Sequence, residues 1–169
     1  MPAPEFQVQL LGKQHDRAGF SCGGEALDNY LKRQATQDVR KRVAAVLVLT
    51  LDGRTIAGYY ALSQFSIDLG AVPPELARKL PRYPVVPATL IGRFAVSTGF
   101  RGQGIGEMLL MDALDRCLTG SKQVASAAVI VDAKGEQALT FYRKYGFLEL
   151  PEIPRRLFLL MATVQELFG

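Results

Sequence analysis

Two cysteines and one histidine are all the thiol and imidazole that the 169 residues hold. Cys22 and Cys117 lie far apart without metal-ligand spacing, and His15 alone completes no cluster. A structural zinc, a Cys–His nucleophile and a disulfide scaffold are therefore set aside, and no metal is expected. Both cysteines sit on the apolar sides of their segments and read as inert core residues. No apolar run approaches the ~18 residues of a spanning helix. The start, MPAPEFQVQLLGK, lacks a basic stretch followed by an apolar one, which leads us to expect a cytoplasmic protein that meets no membrane. Linkers, repeats and low-complexity segments are missing too. One domain over 1–169 is expected, long enough to close a hydrophobic core. The composition, 49% hydrophobic and 21% charged, is that of an ordinary soluble domain. Twenty basic against sixteen acidic residues leave a net charge of +4, a weak lean toward anionic ligands.

Phe6 to Leu10 alternates as a first strand would, and Ser21-Cys22-Gly23-Gly24 resets the chain. Leu27, Tyr30, Leu31 and Ala35 then recur at helical spacing, with Asp28, Lys32, Arg33 and Asp38 opposite, predicting a helix over 25–38. Two β-rich runs, 43–51 and 56–66, flank Asp52-Gly53 and predict an antiparallel hairpin. Residues 73–87 hold five of the nine prolines around a short helical piece at 75–79, a stiff connector. A strand over 89–96 precedes a helix from Gly104 to Leu118, on the spacing of Ile105, Met108, Leu109, Ala113, Leu114 and Cys117. A strand over 124–131, a helix over 134–145 ended by Gly146, and strands at 147–150 and 156–163 complete the order.

Arg101-Gly102-Gln103-Gly104-Ile105-Gly106 falls between a strand and a helix. Glycines there let backbone approach a diphosphate without a Cβ in the way, and the first helical N–H groups face the anion. A plain tight turn before a helix is the other reading of the same residues, and both stand. A P-loop would need Gly-Lys-Ser/Thr where the chain has Gly106-Glu107-Met108. A dinucleotide fold would need alternating βαβ units; Asp132 ends the next strand, but the hairpin at 43–66 does not fit.

Arg101-x-x-Gly104-x-Gly106, after the strand ending Arg93-Phe94-Ala95-Val96, resembles the pyrophosphate motif of the GNAT acyltransferase superfamily, which uses acetyl-coenzyme A. Ala138-x-x-Phe141-Tyr142-x-x-x-Gly146-Phe147 resembles its second motif, one strand later. Phe20-x-Cys22-Gly23, Leu27-Asp28-x-Tyr30-Leu31, Gln37-Asp38 and Gly58-Tyr59-Tyr60-Ala61-Leu62-Ser63 are similar to the GNAT toxins of bacterial toxin–antitoxin pairs. So are Leu80-Pro81-Arg82-Tyr83-Pro84, Ile91-Gly92-Arg93 and Val131-Asp132-Ala133-Lys134, and the likeness covers nearly the whole chain.

The resemblance implies an α+β (mixed α/β) GNAT fold. Its mixed, mostly antiparallel sheet would be splayed between the strands at 89–96 and 124–131 and flanked by helices, with acetyl-CoA entering at the splay. It implies acetyl transfer to the α-amine of aminoacyl-tRNA, which blocks translation, and restraint by a ribbon-helix-helix antitoxin; whether a homodimer forms stays open. A housekeeping N-acetyltransferase acting on a small amine or a protein N-terminus is the alternative. So is a non-catalytic acetyl-CoA-binding regulator. By the same likeness, backbone groups of Phe94, Ala95 and Val96 hold the pantetheine arm and the thioester carbonyl. Arg101, Gly102, Gln103, Gly104, Ile105 and Gly106 hold the pyrophosphate, and Tyr142 serves the leaving thiolate. Where many members carry asparagine seven residues before that tyrosine, this chain has Gly135, and Asp132 or Lys134 are the candidates to replace its contact with the cofactor.

Acetyl transfer to an amine needs a neutral amine, a donor for the developing oxyanion and an acid for the thiolate. A free α-amine at a pKa of about 7.7–8.0 needs less help than a lysine at about 10.4. With one histidine and no paired-carboxylate motif, the sequence offers no obvious base, which favours an α-amine acceptor. A thiol at about 8.5 and a tyrosine at about 10 match for a proton handover. Tyr142 as a packing aromatic is the bland counterpart, and Tyr145 is the second choice. Arg40, Lys41 and Arg42, with Lys32 and Arg33 earlier, form one basic group and Arg78, Lys79, Arg82 and Arg93 a second, either solvated faces or tracks for tRNA phosphates. Tyr83 either lines the acceptor site, stacks on a base, or packs the connector on the sheet. Tyr59 and Tyr60 point to opposite strand faces.

Overall fold

Residues 5–169 are described by the computed structural model; the first four residues, on which part of the leader reading rests, lie outside the described residues. Seven strands form a mixed, unclosed sheet: β1 (Gln7–Leu10), β2 (Ala45–Thr50), β3 (Ile56–Asp68), β4 (Val85–Val96), β5 (Ala128–Asp132), β6 (Leu148–Glu149) and β7 (Arg156–Leu160). Their order is β1-β2-β3-β4-β5-β7-β6, with helices flanking an α+β architecture. β1–β2, β2–β3, β5–β7 and β6–β7 are antiparallel, and β4–β5 is parallel. The β4–β5 ladder runs over Thr89–Ile91 against Val129–Val131, while β4 continues to Val96. Among the described residues no helix is long and apolar enough to cross a membrane. The chain divides into two compact units, one of residues up to Ser63 with Gly92–Ala113, the other Gln64–Ile91 with Leu114–Gly169.

In the first unit, β2 is buried at every residue from Val46 to Thr50, so its apolar run marks a strand covered on both faces. The β3 pleat sends Tyr59 and Tyr60 opposite ways, as expected. The Tyr59 hydroxyl donates to the Leu27 carbonyl at 2.6 Å and that of Tyr60 to Asp112 Oδ2 at 2.5 Å. The helix expected over 25–38 is three pieces: α1 (Glu25–Asn29), a π-helical turn (Tyr30–Gln34) and α2 (Ala35–Arg40). The wide turn lets the Tyr30 hydroxyl and the Gln34 amide reach the same carboxylate, Asp38, at 2.8 and 2.9 Å. A helical period read over so short a window does not register that insertion. The helix opened by Ile105, α4 (Ile105–Gly120), buries Leu109, Leu110, Ala113, Leu114 and Cys117. Met108, expected on that stripe, is 37% exposed, and Leu110 takes the place.

His15 is buried in the loop after β1, its Nδ1 accepting the Gly12 N–H at 3.0 Å and its Nε2 paired with Gln9 Oε1 at 2.9 Å. Burial first, then the charge of Arg17, lowers its pKa below the usual value. The unfolded ring takes up a proton at about 6.5 while the folded ring resists it. Its contribution to stability is therefore complete above about pH 6.5 and is lost as pH falls through the lowered folded value. Thermal melts at about pH 7.5 and 5.5 should show a smaller acid-induced drop in Tm for His15→Gln than for the parent. An identical drop in both would contradict this.

In the second unit, Ile67, Val86, Ala88, Ala128, Ile130, Phe158 and Leu160 share one core. The connector over 73–87 contains α3 (Pro74–Ala77), but its last residues already belong to β4, where Pro87 is exposed and its carbonyl accepts Ala127 N–H at 2.8 Å. β5 begins four residues after the expected start, because Val124 closes the turn that follows α4, its N–H on Gly120 O. Helix α5 (Glu136–Lys144) lies within the expected 134–145. The strand expected over 156–163 stops at Leu160, and α6 (Met161–Leu167) follows with Met161 and Val164 buried. Leu157–Met161 is an unbroken buried apolar run, which carries no period to mark the change.

Candidate active site

The chain leaves β4 through a short 3-10 turn, Thr98–Phe100, pinned by Ser97 N–H on Ala57 O and Thr98 N–H on Ser21 O, both at 2.8 Å. Arg101 is extended; Gly102 and Gly104 then take φ of 81° and 73°. A Cβ on either glycine would meet nothing within 4 Å, so glycine is required here by conformation, and the space above the turn is open. Ile105, 1% exposed, anchors the start of α4, whose first N–H groups have no intrahelical partner. A tight turn and an anion cradle are thus the same geometry here, and the residues present suit a diphosphate. Gln103 is exposed and Gly106 half-buried within the first turn. The Arg101 guanidinium donates to the Cys22 carbonyl at 2.7 Å and lies 3.2 Å from where a Cβ on Gly23 would sit, tying that loop to the turn.

Of Phe94, Ala95 and Val96, Ala95 is buried and the other two half-buried. A Cβ on Gly58 would come 3.0 Å from the Ala95 carbonyl oxygen and 3.2 Å from Leu109 Cδ2. Gly58 lets these segments approach, a role the sequence reading did not give it; a glycine inside an apolar strand was the available signal.

In the second unit Tyr142 is buried on α5, between the rings of Phe141 and Phe147 at 5.4 and 5.5 Å. Burial first, and then the negative charge of Asp132, raise its pKa. Asp132 is itself gripped by Arg156, Nε and Nη2 lying 2.7 and 3.0 Å from its two oxygens. Asp132 therefore acts on the phenol through its field while its oxygens face a guanidinium. Arg156 was missed, although it stands directly across the ladder from Asp132. Gly135 is extended (φ 166°) with room for a side chain, so no steric demand excludes asparagine there; Lys134 is exposed. Tyr145, half-buried, packs on Phe141 at 5.2 Å and carries the Lys144 ammonium 5.6 Å over its ring.

The basic candidates are all exposed. In the first unit the Arg93 guanidinium sits 4.2 Å over the Tyr30 ring. Burial and Asp38 push the Tyr30 phenol up to about 12. Arg40, Lys41 and Arg42 close α2, with Arg42 N–H on Val39 O and Val43 N–H on Asp38 O, a Schellman closure that puts Arg42 at φ 62°. Arg42→Gly should accordingly raise stability by about 1 kcal/mol, a Tm gain of roughly 2–4 °C. If Arg42 also touches the acceptor, the same variant should bind tRNA less tightly; a lower Tm would contradict the closure. In the second unit Arg78 and Arg82 flank a cavity of about 550 Å³ floored by Leu69, Pro74, Ala77 and Leu80. Tyr83 is 65% exposed, which removes the packing reading for its ring.

Among the described residues no three of His, Cys, Asp and Glu gather as a metal site, and both thiols are free. Burial pushes Cys117 up to about 12.

Residues 42–149 match the acetyltransferase (GNAT) domain family. The chain is 34% identical to a probable toxin TacT of Sinorhizobium fredii, over 92% of this chain and 91% of that one. It is 33% identical to a tRNA-acetylating toxin of Mycobacterium tuberculosis, over 91% of each. Among solved structures, AtaT complexed with acetyl-methionyl-tRNAfMet superposes with a TM-score of 0.89 at 27% identity, covering 98% of this chain and all of that one. AtaTR bound with acetyl-CoA gives 0.85 at 27%, covering 97% and 98%. A tyrosine-to-phenylalanine mutant of AtaT bound to the C-terminus of the antitoxin AtaR gives 0.83 at 25%, with the same coverage.

Proposed function

The chain belongs to the GNAT acetyltransferase family, and on that premise we propose that it acetylates the α-amine of aminoacyl-tRNA from acetyl-CoA, as the toxin of a type II toxin–antitoxin pair. The observation that carries this is the likeness to a tRNA-acetylating toxin along 91% of both chains. Acetyl-CoA brings an activated thioester. The amine nitrogen bonds to the carbonyl carbon, the C–S bond breaks, Tyr142 gives its hydroxyl proton to the sulfur, and the proton lost by the nitrogen returns to the phenolate, directly or through water. Tyr142 is in its acid form at neutral pH, as an ordinary tyrosine is; burial and Asp132 raise the phenol, which makes it a weaker acid than the one matched above to a thiol. The open glycine turn, with Arg101 at its entrance, would hold the diphosphate, and backbone groups of Phe94, Ala95 and Val96 would hold the pantetheine arm and thioester. Asp132 serves in this proposal through Tyr142.

Arg40, Lys41, Arg42, Arg78, Arg82, Tyr83 and Arg93 are proposed as acceptor contacts. The proposal takes the 169 residues as one domain working in the cytoplasm, where charged tRNA is found, held in check by a ribbon-helix-helix antitoxin. A homodimer is its remaining part, to be read from the molar mass in solution. The test of the acceptor class is ionic strength. The KM for charged tRNA should rise steeply between about 50 and 200 mM salt, whereas a flat KM would point to a small uncharged amine.

A further inference from the structure

A cavity of about 620 Å³ in the first unit is lined by Lys13, Gln14, His15, Asp16, Arg17 and Arg54, none of which has been given a role so far in binding. Three cations face it against one carboxylate. Asp16 turns Oδ1 to the Gly19 N–H at 3.1 Å. Asp52, two residues before Arg54, accepts the N–H groups of Arg54 and Thr55 and the Thr55 hydroxyl at 2.9, 2.7 and 2.8 Å. Among the described residues Lys13, Arg17 and Arg54 have no carboxylate at ion-pair distance. A surplus of three cations over one carboxylate works against folding, yet the walls are firmly built. Asp16 N–H bonds the Arg54 carbonyl at 2.8 Å, Asp16 bridges to Thr55, and His15 is fixed by Gly12 and Gln9.

The charge also continues beyond the cavity. The Arg17 guanidinium donates to the Thr36 hydroxyl on α2, and Arg40 lies one turn further along that helix face. An acidic protein segment is disfavoured as the occupant, because a protein interface wants an apolar centre and Ala18 is the sole apolar side chain in the lining. Phosphates need only charge and donors.

We propose that the Lys13–Arg17–Arg54 cavity binds phosphodiester groups of the acceptor tRNA, extending the basic track of α2. This rests on the aminoacyl-tRNA reading above. Lys13→Gln with Arg54→Gln leaves the Arg17–Thr36 bond and every backbone contact in place, so the fold is preserved. Uncharged total tRNA is the probe, titrated at several salt concentrations, with acetyl-CoA affinity measured alongside. The double variant should bind tRNA roughly tenfold more weakly at low salt, and its log–log salt slope should flatten by about 1.4–1.8 for two lost phosphate contacts. Acetyl-CoA affinity should not move. Unchanged tRNA affinity and slope would overturn the proposal. So would a loss of acetyl-CoA affinity, which would give the cavity to the coenzyme's phosphates, or a loss confined to antitoxin binding. Binding of uncharged tRNA needs no acetyl transfer, so either claim can fail while the other stands.

Discussion

Tyr142→Phe should keep the fold and the acetyl-CoA affinity and lose kcat by about 10²–10⁴-fold, the scale of one positioned acid. The ring stays, so its contacts with Phe141 and Phe147 survive; only the oxygen goes. A raised phenol pKa has two consequences. It makes the phenol a weaker acid than an ordinary tyrosine, and it makes a free tyrosinate costly, so the proposed mechanism needs the amine's proton to return to Tyr142 as the C–S bond breaks. Asp132 contributes to both, and Arg156 holds Asp132 in place. Stopped-turnover assays with saturating acetyl-CoA measure the chemical step. A variant as fast as the parent would remove Tyr142 from the mechanism and turn attention to Tyr145.

Gly58→Val should destabilise the protein by roughly 1–3 kcal/mol, a Tm loss of several degrees, and weaken acetyl-CoA binding as well. The added Cβ would lie 3.0 Å from the Ala95 carbonyl oxygen, which is backbone and moves only with β4. Leu109 Cδ2 and Ile105 Cγ2, at 3.2 and 3.4 Å, can rotate aside, but Ala95 cannot. The proposed pantetheine strand is therefore displaced along with the packing. Calorimetric melting and acetyl-CoA titration measure the two effects. A variant with an unchanged Tm and acetyl-CoA affinity would show that the contact is slack.

Much of this was legible in the sequence because glycines and repeats of apolar residues leave marks that survive without a structure. Gly102 and Gly104 announced a tight turn before a helix, and the hairpin around Asp52-Gly53 is where it was expected. Features set by partners distant in sequence left no such mark. The π-turn at Tyr30–Gln34 answers to Asp38, and the switch from β7 to α6 occurs inside one apolar run. Met108 and Leu110 are both apolar residues on one helix, and only the packing of neighbours decides which is covered. At the candidate site the glycine turn was visible from residue type and spacing, whereas Tyr142 stood out only through the resemblance of its segment to the family's second motif. Arg156 was not, because its meaning depends on the β5–β7 register that sets it against Asp132.

The most direct measurement is to incubate the protein with acetyl-CoA and total charged tRNA, release the aminoacyl adenosines, and identify them by mass spectrometry. N-acetylated aminoacyl adenosine should accumulate with the parent protein and be lost with Tyr142→Phe. Acetylation of a free amine or a protein N-terminus, with no acetylated aminoacyl adenosine, would contradict the account.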